Sequence, residues 1–451
     1  MARDVGSVWT VPGMPALAVL SVLGFTGYAA LFPVVPLWVV AGGSGTAGAG
    51  LVNGVMLAAT VATQGFIPML LRRFGWATVL TVGLTLLGLP ALAIGASPAL
   101  PWVLAWSAVR GIGFGVLTVC GSSAVAELIE PASRGAGIGA YGLAIAAPSM
   151  LAMSAAPWLV ETVGYWPVFV LAAAPVAGLP AGVRLAARID EGQRRRPRVL
   201  REPDEHGEHA EPGRPPPLEP AGDGEKPGAD TAAAEHGPGA AGRPPPRAGF
   251  ARPPTSALLP LVAPTLILLL MTLAGGGFMT FLPQMLPSPA LATAGLLAFG
   301  LTTAIGRWLI GGWADRYGAH RFTGPLMLIA VVGLAIVAWA VRAAARQTST
   351  ATLAALLLGA LLTGFAYGAV QNLTLVLAFE AASDGRINTA SAVWNAGFDS
   401  GTAVGSVLVG VLATRMEFWS ATVVLAALCA LALPVTRHRA RASPTGAGAA
   451  P

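Results

Sequence analysis

The chain alternates long apolar runs with short polar segments. A membrane helix needs about 20 predominantly apolar residues, and twelve runs of roughly that length are present. The first run is longer than the core of a signal peptide, so we interpret it as the first membrane helix. The predicted spans are 14–40, 47–71, 77–97, 102–126, 135–159, 165–187, 256–284, 291–313, 322–344, 351–379, 389–414 and 418–436. This pattern predicts an all-α membrane protein with about twelve transmembrane helices in two pseudo-symmetric six-helix bundles.

A polar segment, 188–255, separates the two sets of spans. It is rich in Pro, Gly, Arg, Glu and Asp. Such a composition buries too little apolar area to offset the entropy of ordering, so we predict a disordered cytoplasmic linker, with a regulatory or partner-binding tail as the alternative. The predicted domains are therefore an N-terminal bundle (1–187), the linker, a C-terminal bundle (256–437) and a cytoplasmic tail (438–451).

Composition supports a membrane location. Of the 451 residues, 55% are hydrophobic and 11% are charged, whereas about 25% are charged in a typical soluble protein. The net charge of +6 belongs mostly to loops and tails. The arginines are not accompanied by an aromatic and basic platform, so we expect no nucleic-acid partner. The two cysteines lie in apolar runs and all five histidines lie outside them, so neither a metal nor a cofactor is expected.

The arginines predict the orientation of the chain. If the N-terminus is cytoplasmic, most arginine-rich loops fall on the same side as the linker. The positive-inside rule then places both termini and the linker in the cytoplasm. We accordingly expect a multi-pass protein of the cytoplasmic (inner) membrane.

A charged segment between the eighth and ninth predicted spans carries the pattern G-x-x-x-D-R-x-G-x-x-R. Its defining residues are Gly311, Asp315, Arg316, Gly318 and Arg321. Glycine permits a tight turn, and an aspartate can face a helix N-terminus. The segment resembles the loop signature of the major facilitator superfamily, and the six-plus-six layout agrees with that family over nearly the whole chain. The resemblance implies a secondary transporter whose two halves rock around a central site.

A weaker copy of this segment follows the second predicted span. Aligning Gly75 with Gly318 places Arg72 where the second half has Asp315, with Arg73 beside it. By the symmetry of the family, Asp315 should face the N-terminus of the fifth span, near Arg134–Gly135. We expect this contact to stabilise the state closed to the cytoplasm, and we expect the second half alone to carry such a carboxylate latch.

Two arginines lie well away from the ends of the predicted spans. Arg110, about 12 Å into the fourth span, opens an Arg-Gly-x-Gly segment that is similar to a second signature of the family. A buried intramembrane cation is a functional candidate by default, although a structural arginine bonded to helix carbonyls is the alternative. Arg307 precedes Asp315 by eight residues. A gating role and simple snorkelling to the cytoplasmic side are equally consistent with its position.

The eleventh predicted span has a polar face. Its residues, three, four and four positions apart, are Asn388, Ser391, Asn395 and Asp399. Asp399 lies about 15 Å deep, and no other carboxylate falls at that depth in the predicted spans. Desolvation disfavours a charged carboxylate, which suits a group that takes up and releases protons. Asp399 is therefore the best candidate for a proton carrier, with Glu127 second. A satisfied structural carboxylate is the alternative.

The family resemblance implies a substrate cavity lined by the first, fourth, seventh and tenth spans. The candidates there, with Asn395 added from the eleventh span, are Phe25, Tyr28, Phe32, Phe278, Phe281, Gln284, Tyr367, Gln371 and Asn372. Ordinary packing is the alternative for the aromatic residues. The fifth span carries a degraded form of the family's antiporter signature, Gly142–Ser149, which is a weak sign of export.

The favoured function is proton-coupled efflux of a small, largely apolar compound by a monomer. Import of a small solute by proton symport is the alternative within transport. A membrane enzyme is disfavoured because the spans contain no grouped carboxylates, Ser/His set or metal ligands. A channel is disfavoured because no charged ring or carbonyl filter motif is present.

Overall fold

The computed structural model describes residues 9–129, 134–195, 259–347, 349–381 and 387–436. The first half contains α1 (Met14–Ala41), α2 (Thr46–Gln64), α3 (Ile67–Gly95), α4 (Leu100–Leu128), α5 (Arg134–Val163), α6 (Tyr165–Ala172), α7 (Ala174–Ala177) and α8 (Leu179–Arg195). The second half contains α9 (Val262–Met285), α10 (Pro289–Tyr317), α11 (His320–Ala344), α12 (Thr350–Ala381), α13 (Ile387–Leu412) and α14 (Phe418–Ala430), and a 3-10 turn, Leu259–Leu261, precedes α9. No strand occurs in these residues. The predicted all-α architecture is confirmed.

Eleven segments of the described chain are long and apolar enough to cross a membrane. One of them, the sixth span, is formed by α6, α7 and α8 in succession. The 26-residue helix α13 is not among the eleven. Its polar residues, which include Asn395 and Asp399, lower its hydropathy, and it packs between helices of both halves. With α13 the count agrees with the predicted twelve spans.

The helices run alternately between two faces. We call the face where α8 ends and α9 begins the linker face, and the opposite one the far face. The linker face also carries the turn at Gly75 and the junctions after α4, α10 and α12. Helix α8 continues to Arg195, past residue 187, where the sixth span was predicted to end. The rest of the predicted linker, 196–255, and the predicted tail, 438–451, lie outside the described residues.

Glycines allow the backbones of neighbouring helices to approach closely within each half. In the pair α10–α12, a Cβ added to Gly364 or Gly368 would collide with a carbonyl oxygen of α10, at Phe299 or Thr303. A larger residue at either position would force the two helices apart. Such close contacts are the usual basis of helix association in membranes, where the lipid is as apolar as the side chains.

The two charged segments are largely helical, which corrects the prediction of loops. Gly311–Tyr317 forms the last turns of α10, and only Gly318 and Ala319 separate this helix from α11. In the first half, residues 67–74 are helical and continue the direction of α2 through Gly65 and Phe66, and the chain turns at Gly75 into the rest of α3. Arginine and hydrophobic side chains on the preceding turns are compatible with a helix, and only the glycines interrupt it.

The two bends have the same local geometry. Gly75 has φ 78° and Gly318 has φ 86°, a region that is readily accessible to glycine alone. In each half, the residue before the glycine is aromatic, and the arginine before it lies over its ring. The guanidinium carbon of Arg73 is 5.3 Å from the ring centroid of Phe74, and that of Arg316 is 5.4 Å from the ring centroid of Tyr317. The hinge is therefore repeated in both halves although the carboxylate is not.

Candidate transport site

The two halves are joined near the far face by α2 and α13. Thr46 donates a hydrogen bond of 3.0 Å to the carbonyl oxygen of Gly410. One helical turn further in, a Cβ added to Gly50 would collide with the carbonyl oxygen of Ser406. Asn53 then donates to the hydroxyl of Thr280 on α9, at 3.1 Å. Asn53, Thr280 and Ser406 are at most 1% exposed, so the interface is closed to solvent at these positions on the far side.

Helices α5 and α10 contact each other on the far side of the membrane centre. A Cβ added to Gly300 would lie 2.8 Å from the Cγ of Met150. Seven residues nearer the linker face on each helix, Leu143 is 62% exposed and Arg307 is exposed. Seven residues are about two turns, so both side chains lie on the faces that carry the contact. The helices therefore separate toward the linker face, and we call this opening the α5–α10 gap.

Asp399 is held at the boundary between the halves. Its side chain is 6% exposed, and its Oδ2 accepts a hydrogen bond of 2.8 Å from the Nε2 of Gln64. The same nitrogen lies 3.4 Å from the hydroxyl of Thr118 on α4. Gln64 thus connects α13 with α2 and α4. It was not among the sequence candidates, although a polar residue within an apolar run was a signal that could have identified it.

Arg110 is buried in the N-terminal half. It is 2% exposed, and its Nη2 donates to the carbonyl oxygen of Gly27 at 3.2 Å. Its Nη1 lies 3.7 Å from the sulfur of Met56, and its Nε has no hydrogen-bond partner among the residues that the structure describes. No carboxylate of the described residues lies within ion-pair distance of the guanidinium. The contact with a carbonyl agrees with a structural arginine, whereas the incomplete pairing agrees with a functional one.

An aromatic cluster lies beside Arg110. The ring of Tyr28 stacks on Phe114 with centroids 3.9 Å apart, and Phe25 meets Phe114 edge-on at 5.6 Å. Phe32 packs against Tyr28 and is only 1% exposed, so it belongs to the protein core. Tyr28 is half-buried, and it lies within electrostatic reach of both Arg110 and Asp399.

Arg307 is bound to α12. Its Nη1 donates to the Oε1 of Gln371 at 3.2 Å, and the side chain of Asn372 donates to the backbone oxygen of Arg307 at 2.7 Å. The Nε2 of Gln371 is buried without a partner. One turn away, the hydroxyl of Tyr367 lies near Thr402 and makes no hydrogen bond with the described residues. The side chain of Arg307 therefore contacts the predicted cavity residues Gln371 and Asn372 and not the hinge at Gly318.

The other candidates are dispersed. Phe281 is fully buried against Phe418, as is Phe278 against Phe299. Gln284 lies near the far-face end of α9. The amide of Asn395 donates within α13, to the carbonyl oxygen of Ser391 at 2.8 Å.

The remaining candidates belong to the linker face. Glu127 is one residue from the end of α4, about 13 Å along the helix from Thr118. Arg72, Arg73, Arg316 and Arg321 are exposed. The side chains of Asp315, Arg134 and Asn388 and the surroundings of Gly135 lie outside the described part of the chain, and so does the predicted contact of Asp315 with α5. No cluster of His, Cys, Asp or Glu able to hold a metal occurs among the side chains that the structure describes.

Comparison with known proteins identifies the family. The model of the Major Facilitator Superfamily matches residues 17–341 and 265–450. A comparison with curated proteins finds no match. Two similar solved structures are an inward-facing, unoccupied bacterial homologue of the human lysosomal transporter Spinster (TM-score 0.64, 15% identity, 95% of this chain and 96% of that chain) and the nucleoside transporter NupG (0.64, 10%, 94% and 98%).

A third similar structure is a bacterial homologue of the iron transporter ferroportin in its inward-facing state, with a TM-score of 0.62 and 13% identity over 95% of this chain and 98% of that chain. At these identities the structures establish the fold alone. The family match extends over nearly the whole chain. The chain belongs to the major facilitator superfamily, and it is therefore a membrane transporter of small molecules and not an enzyme.

Proposed function

We propose that the chain exports a small lipophilic compound across the inner membrane in exchange for protons, as a monomer that works by alternating access. The observation that carries this proposal is the position of Asp399. It is buried at mid-depth on α13, about 18 Å from the linker-face end of that helix. It also bonds to the other half through Gln64. A proton on this carboxyl group changes a contact that must break when the halves rearrange.

The surroundings of Asp399 support its role as the proton carrier. Glu127, Glu161, Asp190, Glu380 and Glu417 all lie near helix ends. Glu127 remains the second candidate because it lies on α4, the helix that Gln64 contacts through Thr118. We assign Arg110 to the same process, because its charge lies near Tyr28, which is also within reach of Asp399.

A lipophilic substrate fits the apolar walls of the opening. Leu143 is exposed on the gap side of α5, and a Cβ on neighbouring Gly142 would contact nothing within 4 Å. The aromatic cluster around Tyr28 adds further apolar surface at mid-depth. We propose that the substrate enters through the linker face, which corresponds to the cytoplasm if the arginine distribution sets the orientation.

The hinge segments are proposed to form the cytoplasmic gate. We propose that Asp315 faces the N-terminus of α5 when the linker side closes, where the partial positive charge of the helix stabilises a carboxylate. Gly311, Gly318 and Gly75 allow the helix ends to move, and the exposed arginines bind the membrane surface or the opposite half. An Asp315→Asn variant with unchanged transport and an unchanged ratio of inward- to outward-facing molecules would contradict this latch.

A proton-flux assay tests the proposal. Inside-out vesicles are given an acidic lumen, and the gradient is followed with a fluorescent dye while octanesulfonate, octyltrimethylammonium or octyl glucoside is added. An exported substrate should dissipate part of the gradient in vesicles with wild-type protein. Vesicles with the Asp399→Asn protein should show no such change, and Glu127→Gln is tested in parallel.

The control is Glu380→Gln, an exposed carboxylate at the end of α12, which should behave as wild type. Proton movement in the opposite direction would indicate symport and import. Equal dissipation by wild type and Asp399→Asn would refute the assignment of the carrier.

A further inference from the structure

Arg307 is a cation at mid-depth in the membrane-spanning part of α10. It lies ten residues before the end of α10 at Tyr317, which is about 15 Å from the linker face. No carboxylate of the described residues lies within ion-pair distance of it. Charged residues at this depth are rare, and those found there line a pathway or a binding site.

The side chain of Arg307 faces the N-terminal half. Gly300, seven residues earlier on the same face of α10, is the residue that packs against Met150 of α5. Arg307 is exposed because the two helices have separated at its depth. Its charge is therefore presented to the α5–α10 gap.

The groups around Arg307 are hydrogen-bond donors that lack acceptors. Of the five N–H groups of the guanidinium, the described residues engage one, the Nη1 bond to Gln371. Gln371 accepts this bond through Oε1, and its Nε2, in a residue that is 2% exposed, has no hydrogen-bond partner in the part of the chain that the structure describes. The hydroxyl of Tyr367, one turn away on α12, lies near Thr402 and makes no hydrogen bond with the described residues. Buried donors without acceptors are costly unless a ligand satisfies them.

We propose that Arg307 and Gln371 bind the anionic head group of an amphipathic substrate, a carboxylate, sulfonate or phosphate ester with an apolar tail. Charge-assisted hydrogen bonds from a guanidinium suit such oxyanions. The tail would lie along the gap beside Leu143, which is exposed. The inference rests on the proposed function for the transport step, whereas binding can be measured without transport. The anion has two possible sources, a free amphiphile and the head group of a membrane lipid.

Calorimetric titration of purified full-length protein in phosphatidylcholine nanodiscs tests the inference. Octanesulfonate is the probe because its charge is permanent, and octyltrimethylammonium has the same chain with the opposite charge. Octanesulfonate should bind wild type, and Arg307→Gln should weaken binding by about tenfold or more, the size expected for a lost charge-assisted bond. Arg307→Lys should give an intermediate affinity. The control Arg415→Gln, at an exposed arginine on the far face, should bind as wild type.

A second variant distinguishes loss of the binding site from misfolding of Arg307→Gln. Gln371→Glu gives Arg307 an internal counter-ion, so it should keep the fold and abolish octanesulfonate binding. If a lipid is the source, nanodiscs with added phosphatidylglycerol should raise the melting temperature of wild type but not of Arg307→Gln. The inference is overturned if the two charge types bind equally, if binding of octanesulfonate is independent of Arg307, or if neither anion has any effect.

The two proposals fail separately. Arg307-dependent binding without proton movement in the vesicles would leave this inference standing and refute proton coupling. Proton movement driven by octyltrimethylammonium or octyl glucoside, without octanesulfonate binding, would support proton-coupled export and refute the anion site at Arg307.

Discussion

Gln64 of α2 and Asp399 of α13 are separated by 335 residues and are joined by a hydrogen bond of 2.8 Å across the two halves. Gln64 is the only donor to this carboxylate among the described residues. Leaving a buried acceptor unsatisfied costs about 1–3 kcal/mol, whereas replacing both partners by apolar groups is nearly neutral. We therefore expect Gln64→Leu and Asp399→Leu each to lower the melting temperature, and the double variant to lower it by less than their sum.

Thermal unfolding of the purified variants in detergent measures this coupling, with an expected interaction energy of about 0.5–3 kcal/mol. Gln284→Leu is the matched control. Its amide lies on α9 without a hydrogen-bond partner for Nε2, so it should not couple to Asp399→Leu. Additive effects of Gln64→Leu and Asp399→Leu would show that the hydrogen bond does not form in solution.

The hinge glycines should be sensitive to alanine because of their backbone conformation. A Cβ at Gly75 or Gly318 would contact nothing within 4 Å, so any loss of stability comes from the positive φ alone. With ψ of 166° at Gly75 and 132° at Gly318, the backbone lies in or beside a region used almost only by glycine, where a residue with a Cβ costs about 1–3 kcal/mol. We expect Gly75→Ala and Gly318→Ala to lower the free energy of unfolding by this amount, measured by thermal or denaturant unfolding.

Gly312 provides the comparison for this prediction. It lies within α10, has equally open surroundings, and does not have a positive φ. Gly312→Ala should be neutral or stabilising, since alanine is favoured over glycine in a helix. If all three variants behaved alike, the shared hinge geometry would be wrong.

The closed far face depends on the packing of α2 against α13. A Cβ on Gly50 would collide with the carbonyl oxygen of Ser406, whereas one on Gly45 would contact nothing within 4 Å. We expect Gly50→Ala to open this side and Gly45→Ala to leave it closed. The readout is the rate at which an impermeant maleimide labels Thr280→Cys in a variant without Cys120 and Cys429. Thr280 is fully buried near Asn53, so labelling of the parent should be slow.

The sequence predicted the spans and the polar face of α13 because hydropathy and helical spacing are local properties. It also indicated that Asp399 is deep, since depth follows from position along a span. The bond to Gln64 was not predictable, because it depends on how two halves pack. The position of Arg307 was similarly ambiguous: its depth was known, but only the separation of α5 and α10 shows which way it faces. The charged segments before Gly75 and Gly318 were predicted as loops, but their residues form the last turns of helices.

Arg110 offers a test that separates the two interpretations left open by the sequence. Its guanidinium is buried with one carbonyl acceptor, a distant sulfur and an unpaired Nε. The penalty for burying an unpaired charge is several kcal/mol. A methionine of similar length removes that penalty, so we expect Arg110→Met to retain or raise the melting temperature. If the charge serves transport, the same variant should lose the proton movement seen in the vesicle assay. A lower melting temperature with normal transport would instead identify Arg110 as a structural residue that holds α1 to α4 through Gly27.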